Sequence, residues 1–588
     1  MPWKDTCPQR LIPTPIPVER FRKPVVIQDF RKRFSSRKVE FVVKFGGYLL
    51  GGIWRGIRGK KTPEDEAVRL RMLFESMGAL WIKVGQLISL RSDVLSQPMC
   101  EELSKLQFQS VGFPWVQAKT TIESDLKRPI AEVFESIDEM PMAAASICQV
   151  HRAKLRGSGA DVIVKVQRPY VEEDLARDLH ILEILIGIFK GIGALRYLRW
   201  DSLLWEVKQI LLEEVDYRFE ASNQRRMRKM LHKQMVYVPK LFDHLCTKRV
   251  LVMEFVPGGL MSDYLELYRN DPPKLREWLA ENNIDHNKVG ERLFLCFFRQ
   301  LMEDNFFHAD LHPGNILLLK NSRFCLIDFG SAGSTEANLL RVYTMSLNAL
   351  GEGDFRRAVD YTTLMCEELP STGLEEAKNE MVRAYREWSA KAALDGVDYH
   401  EKSIAAAGTA SGRVMGKYKI AASWQFLKIS RTWVTLDSSL AYLLDDSNFV
   451  KLIHKYFKDR QKRQRTEKKK GPTGLDAILG GLGEMVLLQG GNLRRQTQRF
   501  SEVAGKAASV AAISFTGMRH ALMVLMILLL IGELRAEIPV PGLVVSLLEM
   551  VERRWPIGTT GWFAVLAVMV FVWFRLGRIV RGLLTREV

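Results

Sequence analysis

The chain has 588 residues, 47% of them hydrophobic and 26% charged, with a net charge of +17. That length exceeds what one hydrophobic core serves, and the composition excludes a disordered chain, a collagen and a small disulfide scaffold. The seven cysteines form no CxxC and no zinc-spaced Cys/His pair, which fits a reducing compartment, and the positive balance asks for an anionic partner: nucleic acid, nucleotide or membrane surface.

Residues 1–60 are basic and irregular, with no signal-peptide core and one small apolar patch, Phe41–Trp54. From 61 to 135 the pattern is helical: Leu80, Val84, Leu87, Ile88 and Arg91 fall near one face at the 3.6-residue period. Strands begin near 140, where Val162, Val164 and Val166 alternate with Ile163, Lys165 and Gln167. A helical stretch is expected over about 171–231, and a strand from Val250 to Val256 runs into Pro257-Gly258-Gly259. The chain to about 455 is then mainly helical, interrupted by the short apolar segments Ile316–Leu319 and Phe324–Ile327. The order is a small mixed lobe (136–256), a hinge-like Pro-Gly-Gly and a larger helical lobe (257–455).

The charge excess clusters at 458–470, KDRQKRQRTEKKK, and ends in Gly471-Pro472. It reads as part of a solvated linker, 456–506. Few aromatics interleave with it, so no nucleic-acid partner is expected. In the last segment, 507–588, two apolar runs follow: Ala521–Ile531, extended to about 512–532, and Ile557–Phe574, uncharged throughout. Spanning a bilayer takes roughly 20 residues. Two transmembrane helices, about 512–532 and 557–575, are therefore expected, with a pair of buried soluble helices as the alternative. Basic residues before the first run and after the second (Arg575, Arg578, Arg581) place both termini in the cytoplasm.

The strongest constellation is His308-Ala309-Asp310-Leu311-His312-Pro313-Gly314-Asn315, then a short apolar strand, then Asp328-Phe329-Gly330. It resembles the catalytic and metal loops of protein kinases. Asp310 is the expected base or orienter, and Asn315 and Asp328 the expected ligands of Mg²⁺ on the phosphates of ATP. Val162-Ile163-Val164-Lys165 resembles the strand whose lysine holds the α/β-phosphates. The lysine's carboxylate partner should come from the following helix, where Glu213, Asp216, Glu220 and Asn223 share one face. No glycine-rich loop precedes Lys165. Met142-Ala143-Ala144-Ala145-Ser146-Ile147 stands there instead, and alanine enters positive φ less readily than glycine. No A-P-E sequence follows Asp328.

At this point the residues resemble the UbiB/ABC1/ADCK family of atypical kinase-like proteins. Its K-x-G-Q signature is Lys83-Val84-Gly85-Gln86, its alanine-rich loop Ala143–Ser146, its QVHRA Gln149–Ala153, and its E-x-D Glu214-Val215-Asp216. The departures are Cys148, where alanine is commoner, and Phe108, where aspartate is usual. The resemblance implies an α+β, bilobal protein-kinase-like fold with a helical N-terminal extension and C-terminal transmembrane helices. It implies that Glu220 pairs with Lys165 and that Lys83 meets the Glu214 and Asp216 carboxylates. Met142, Ala143, Ala144, Ala145, Ser146, Ile147, Val150, Glu254 and Val256 are then expected around ATP, with Gln86 in the extension. Glu214 and Asp216 lie about 200° apart on an ideal helix, so both serve Lys83 only if the helix breaks. The function implied is a Mg²⁺-ATP-dependent accessory ATPase of ubiquinone biosynthesis at the cell inner membrane. Its partners would be membrane lipids, hydrophobic quinone precursors and other quinone-biosynthesis proteins. The alternatives are a true phosphotransferase and a non-catalytic nucleotide-sensing scaffold.

Overall fold

A computed structural model describes residues 6–18, 37–57, 62–89, 95–106, 112–145, 147–191, 200–370, 372–394, 396–444, 448–467 and 568–576, with positions 514, 518, 522 and 523. The chain forms two units, 1–471 and 472–588. Most of the two transmembrane segments expected at 512–532 and 557–575, together with Ser146 and Phe108, lies outside the described residues. Among the described residues no helix is long and apolar enough to cross a membrane.

The first unit opens with helices α1 (Arg37–Ile57), α2 (Pro63–Met77), α3 (Ala79–Ile88) and α4 (Gln97–Ser104). Local chemistry starts α2. Thr62 accepts from the Asp65 N–H, Pro63 follows it, and Glu64, Asp65 and Glu66 occupy the positive end of the dipole. Gly85 lies where α3 crosses α2. A Cβ there would stand 2.3 Å from Leu106 Cδ1 and 2.5 Å from Phe74 Cδ2. The glycine of K-x-G-Q is thus a close-packing residue. Gly85→Ala should lower stability by about 1–3 kcal/mol, the usual result of overpacking, read by urea denaturation with proteolysis of the extension as the local probe.

Helices α5 (Trp115–Leu126) and α6 (Ile130–Val133) lead into an antiparallel sheet of β1 (Phe134–Ile137), β2 (Ala143–Ala144), β3 (Cys148–Leu155), β4 (Asp161–Gln167) and β5 (Val250–Glu254). Its order is β1-β3-β4-β5, with β2 paired to β3. Val162, Val164 and Val166 point one way, into a core with Phe134, Ile122 and Val252. The period of two then sends Lys165 to the other face. It sits mid-sheet, opposite Val150 on one side and Leu251 on the other.

The expected helical stretch 171–231 is three helices, α7 (Val171–Gly191), α8 (Trp200–Glu214) and α9 (Tyr217–Leu231). The break at Val215-Asp216 has identifiable causes. The Gln167 amide donates to the Val215 carbonyl (2.9 Å), the Tyr217 N–H donates to the Lys248 carbonyl (3.0 Å), and Asp216 caps α9. Glu213 therefore belongs to a different helix from Glu220, so the single face expected for Glu213, Asp216, Glu220 and Asn223 does not exist.

Beyond the hinge come β6 (Gly259–Leu260), β7 (Phe307–His308), β8 (Ile316–Leu319), β9 (Arg323–Leu326) and β10 (Ala332–Gly333), set among helices that run to Glu467. Gly258 and Gly259 are small because Leu317 and the Trp278 ring lie 2.9 and 2.8 Å from where their Cβ atoms would be. Aromatic packing fills the lobe: Trp433 meets Phe294, Phe297 and Phe298.

Two readings of the ends need correction. The basic run starts inside a helix, Phe449–Glu467, which Tyr456 and Arg463 fasten to Glu303 at 2.9 and 2.6 Å, so the linker cannot begin at 456. Within residues 1–60, expected to be irregular, Arg37–Ile57 is the helix α1, whereas residues 6–18 hold no regular structure beyond one 3-10 turn and pack as a strap. The Cys7 N–H donates to Glu254, Leu11 packs among Val256, Leu317, Leu319 and Cys325, and Thr14 exchanges hydrogen bonds with Asn282.

Candidate nucleotide site

Two elements converge on Lys165 of β4. Its Nζ donates to Glu220 Oε1 (2.8 Å) and Oε2 (3.0 Å) from α9, and to Asp328 Oδ2 (3.1 Å) from the loop after β9. Three protons meet three carboxylate oxygens. Burial alone would lower the lysine's pKa, but Asp328 and Glu220 outweigh it and hold it well above its usual value. Burial likewise pushes Glu220 up against the pull of Lys165. For Asp328 burial works upward and loses to Lys165, leaving it at about 2. The Asp328 contribution to stability is thus complete above an unfolded carboxyl's 3.8 and fades as pH falls toward about 2. Its side chain is still 44% exposed, against 5% for Glu220.

The hairpin of β8 and β9 brings the two expected metal ligands together. Ile316 pairs with Leu326, and the Ile327 N–H donates to the Asn315 carbonyl at 3.0 Å, so Asn315 and Asp328 leave the same end. The Asn315 amide nitrogen donates to the Asp310 carbonyl (2.9 Å), which identifies the other amide atom as the oxygen. That oxygen and the Asp310 carboxylate make no hydrogen bond among the described residues. Asp328 sits at φ +59°, a left-handed conformation that aspartate tolerates, closed by the Gly330 N–H donating to its Oδ1 at 3.3 Å.

Buried groups hold these loops. His308 takes the Asp310 N–H on Nδ1 (3.2 Å) and contacts the Ile327 carbonyl through Nε2 (3.1 Å), which requires the neutral Nε2–H tautomer. Burial also lowers its pKa. Its ring lies 5.3 Å from that of Phe329, and Asn223 on α9 donates to the Phe329 carbonyl at 3.1 Å. One helix thus supplies both the lysine's partner and the clasp on the metal loop. Tyr217, buried beneath Lys165 with its ring 5.8 Å from Nζ, is a wall residue that sequence reasoning passed over. Its place beside the E-x-D break was the available signal.

The alanine segment is a hairpin edge. Ala143 and Ala144 pair with Val150 and Gln149, the Met142 N–H donates to the Val150 carbonyl, and the Ala145 N–H to the Cys148 carbonyl (2.8 Å each). The Arg168 N–H donates to the Ile147 carbonyl at 2.7 Å. At the hinge, the Glu254 carboxylate accepts from Cys7, Tyr237 and Lys240, and Val256 faces the strap, so neither side chain is turned to a nucleotide; the Glu254 N–H and the Val256 carbonyl are taken as well, by Lys240 and Gly258. In the extension, Lys83 pairs with Glu214 (2.5 Å) while Asp216 pairs with Arg218 (2.6 Å). The helix break separates the two acids, and Lys83 meets only Glu214 of the expected pair. The Gln86 amide donates to the Leu106 carbonyl at 2.9 Å, an internal brace of the extension.

This donor set suits magnesium. No cluster of three His, Cys, Asp or Glu occurs among the described residues. One carboxylate and one neutral amide oxygen beside a lysine match a cation that completes its shell with phosphate and water.

Residues 105–362 match the ABC1 atypical kinase-like domain. A probable protein kinase UbiB of Actinobacillus pleuropneumoniae is 33% identical over 311 residues, 51% of this chain and 55% of its own. One from Shewanella baltica is 32% identical over 307 residues, 51% of this chain and 54% of its own. The match thus spans about half the length of these relatives. A solved Mycobacterium tuberculosis protein in complex with erythromycin overlaps 66% of this chain and 97% of its own at 21% identity, with a TM-score of 0.37, too low to carry an argument. The chain therefore has a kinase-like α+β fold, and its residues 105–362 carry an ABC1 atypical kinase-like domain.

Proposed function

We propose that this protein is a membrane-anchored, Mg²⁺-ATP-dependent accessory ATPase of ubiquinone biosynthesis that acts on or near prenylated quinone precursors. The carrying observation is the Lys165–Glu220–Asp328 cluster, with an Asn315 amide oxygen and an Asp310 carboxylate that make no hydrogen bond among the described residues. Magnesium would supply charge neutralisation on the phosphates, held by Asn315 and Asp328. Lys165, locked by Glu220, gives an N–H to a phosphate oxygen when Asp328 releases it. Asp310 orients the attacking hydroxyl or water and accepts its proton. Anchoring rests on the apolar runs at 512–532 and 557–575 and brings the site to where prenylated molecules dissolve.

The test uses full-length protein reconstituted in bilayers and given γ-labelled ATP. Free phosphate should appear only with magnesium, and Asp310→Asn should slow its release about 100-fold or more. Label recovered on a membrane-extract component instead would favour the phosphotransferase reading. Quinone levels fully restored by Asp310→Asn in a deletion strain would favour the scaffold.

A further inference from the structure

The main chain around Asp310 is held at successive peptide groups. Its N–H donates to His308 Nδ1 (3.2 Å), its carbonyl accepts from the Asn315 amide (2.9 Å), and the carbonyl of Leu311 accepts from Ser439 Oγ (2.9 Å). His308 and Asn315 belong to the loop itself. Ser439 lies 128 residues beyond Leu311, in the helix Trp424–Leu440, outside the 105–362 match. Serine and threonine inside a helix commonly return their proton to a carbonyl three or four residues back. Ser430, Thr432, Thr435 and Ser438 of this helix do so. Ser439 does not. Its hydroxyl leaves the helix for the catalytic loop, and both Ser439 and Leu311 are fully buried. The helix is itself anchored. The Trp433 indole N–H donates to the Tyr343 hydroxyl at 2.7 Å, and Asp437 accepts from the Tyr399 hydroxyl at 2.8 Å. Toward its start, Lys428 pairs with the buried Glu206 of α8, the helix that leads into the break before Glu220.

We propose that Ser439 is a positioning residue for the reaction: its hydrogen bond to the Leu311 carbonyl fixes where Asp310 presents its carboxylate to the attacking hydroxyl or water. It acts through the main chain, from beneath the loop. This inference rests on the hydrolysis reading above and adds a residue to it. Without the hydroxyl, the Leu311 carbonyl loses its partner in a site closed to water, and the loop must shift to recover one. A small misplacement of a catalytic group slows the chemical step without weakening the grip on the nucleotide.

The test uses full-length protein reconstituted in bilayers and measures magnesium-dependent phosphate release from ATP, at a temperature where thermal melts show each variant folded. Ser439→Ala should lower kcat about 10-fold or more. Its KM for Mg²⁺-ATP should stay within about twofold of the parent's, since Lys165, Asn315 and Asp328 are unchanged. Thr432→Val removes an equally buried hydroxyl of the same helix and should leave kcat within about twofold. Ser439→Thr keeps the donor but adds a methyl group to a closed site, so it should melt lower and still turn over within about threefold of the parent. A Ser439→Ala kcat equal to the parent's, an equal loss in Thr432→Val, or a Ser439→Thr as slow as Ser439→Ala would overturn the positioning role alone. A parent protein that releases no phosphate would overturn the hydrolysis reading and this inference with it.

Discussion

Asp328→Asn should abolish magnesium-dependent nucleotide hydrolysis, by about 100-fold or more, while costing the apo protein less stability than the loss of Glu220 does. Asp328 is half open to the cleft, and Lys165 keeps both bonds to Glu220 when it is changed. An asparagine oxygen can still accept from Nζ, so no ammonium is stranded. Glu220→Ala should behave differently. It strips two bonds from a lysine whose side chain is 11% exposed and leaves it facing one carboxylate. Removing one partner of a buried pair typically costs about 3–5 kcal/mol, so this variant should lose both hydrolysis and unfolding midpoint. Thermal melts beside phosphate release separate the two. Equal melting losses would mean that Asp328 belongs to the scaffold and not to the metal site.

The second large effect concerns the strap. Leu11→Asp should destabilise the kinase-like unit by about 3 kcal/mol or more, since it places a charge in an apolar cluster and empties the cavity that Leu11 fills. Leu11 is 3% exposed, and the Lys320 N–H donates to its carbonyl at 2.9 Å. Removing residues 1–18 should cost at least as much. It takes one of three donors from Glu254, which is 4% exposed, and uncovers Val256, Leu317 and Cys325. Because the strap holds the end of β5, the β8–β9 hairpin and, through Thr14, Trp278 and Asn282, one continuous piece of chain crosses both lobes. Urea denaturation of the truncated protein checks this, and a midpoint equal to the parent's would contradict it.

What was legible in the sequence was what spacing encodes. Asp310, Asn315 and Asp328 follow a fixed separation because one short hairpin must return the chain to its starting edge, and Lys165 is marked by valines alternating around it. Glu220 emerged only through resemblance, because a helical face was assumed to run unbroken from Glu213. The break depends on Gln167 and Lys248, residues distant in sequence that no local pattern announces. The strap was unreadable for a related reason. Its prolines, Pro8, Pro13, Pro15 and Pro17, suppress any helical or strand period, and its main chain is held largely by side chains distant in sequence, those of Glu254, Asn282 and Trp278. The alanine-rich segment is legible as a loop, but its pairing with β3 as a hairpin is set by main-chain register that composition does not encode.

With all three Nζ protons of Lys165 on carboxylate oxygens, a nucleotide that takes a bond from the lysine would have to displace Asp328, the residue that would also hold magnesium. Calorimetric titration of a non-hydrolysable ATP analogue into the full-length protein, with and without magnesium, measures this directly. Binding should strengthen at least about 100-fold with the metal, and Asn315→Ala and Asp328→Asn should each remove most of that gain. The same affinity with and without magnesium, or a gain untouched by either substitution, would contradict the account.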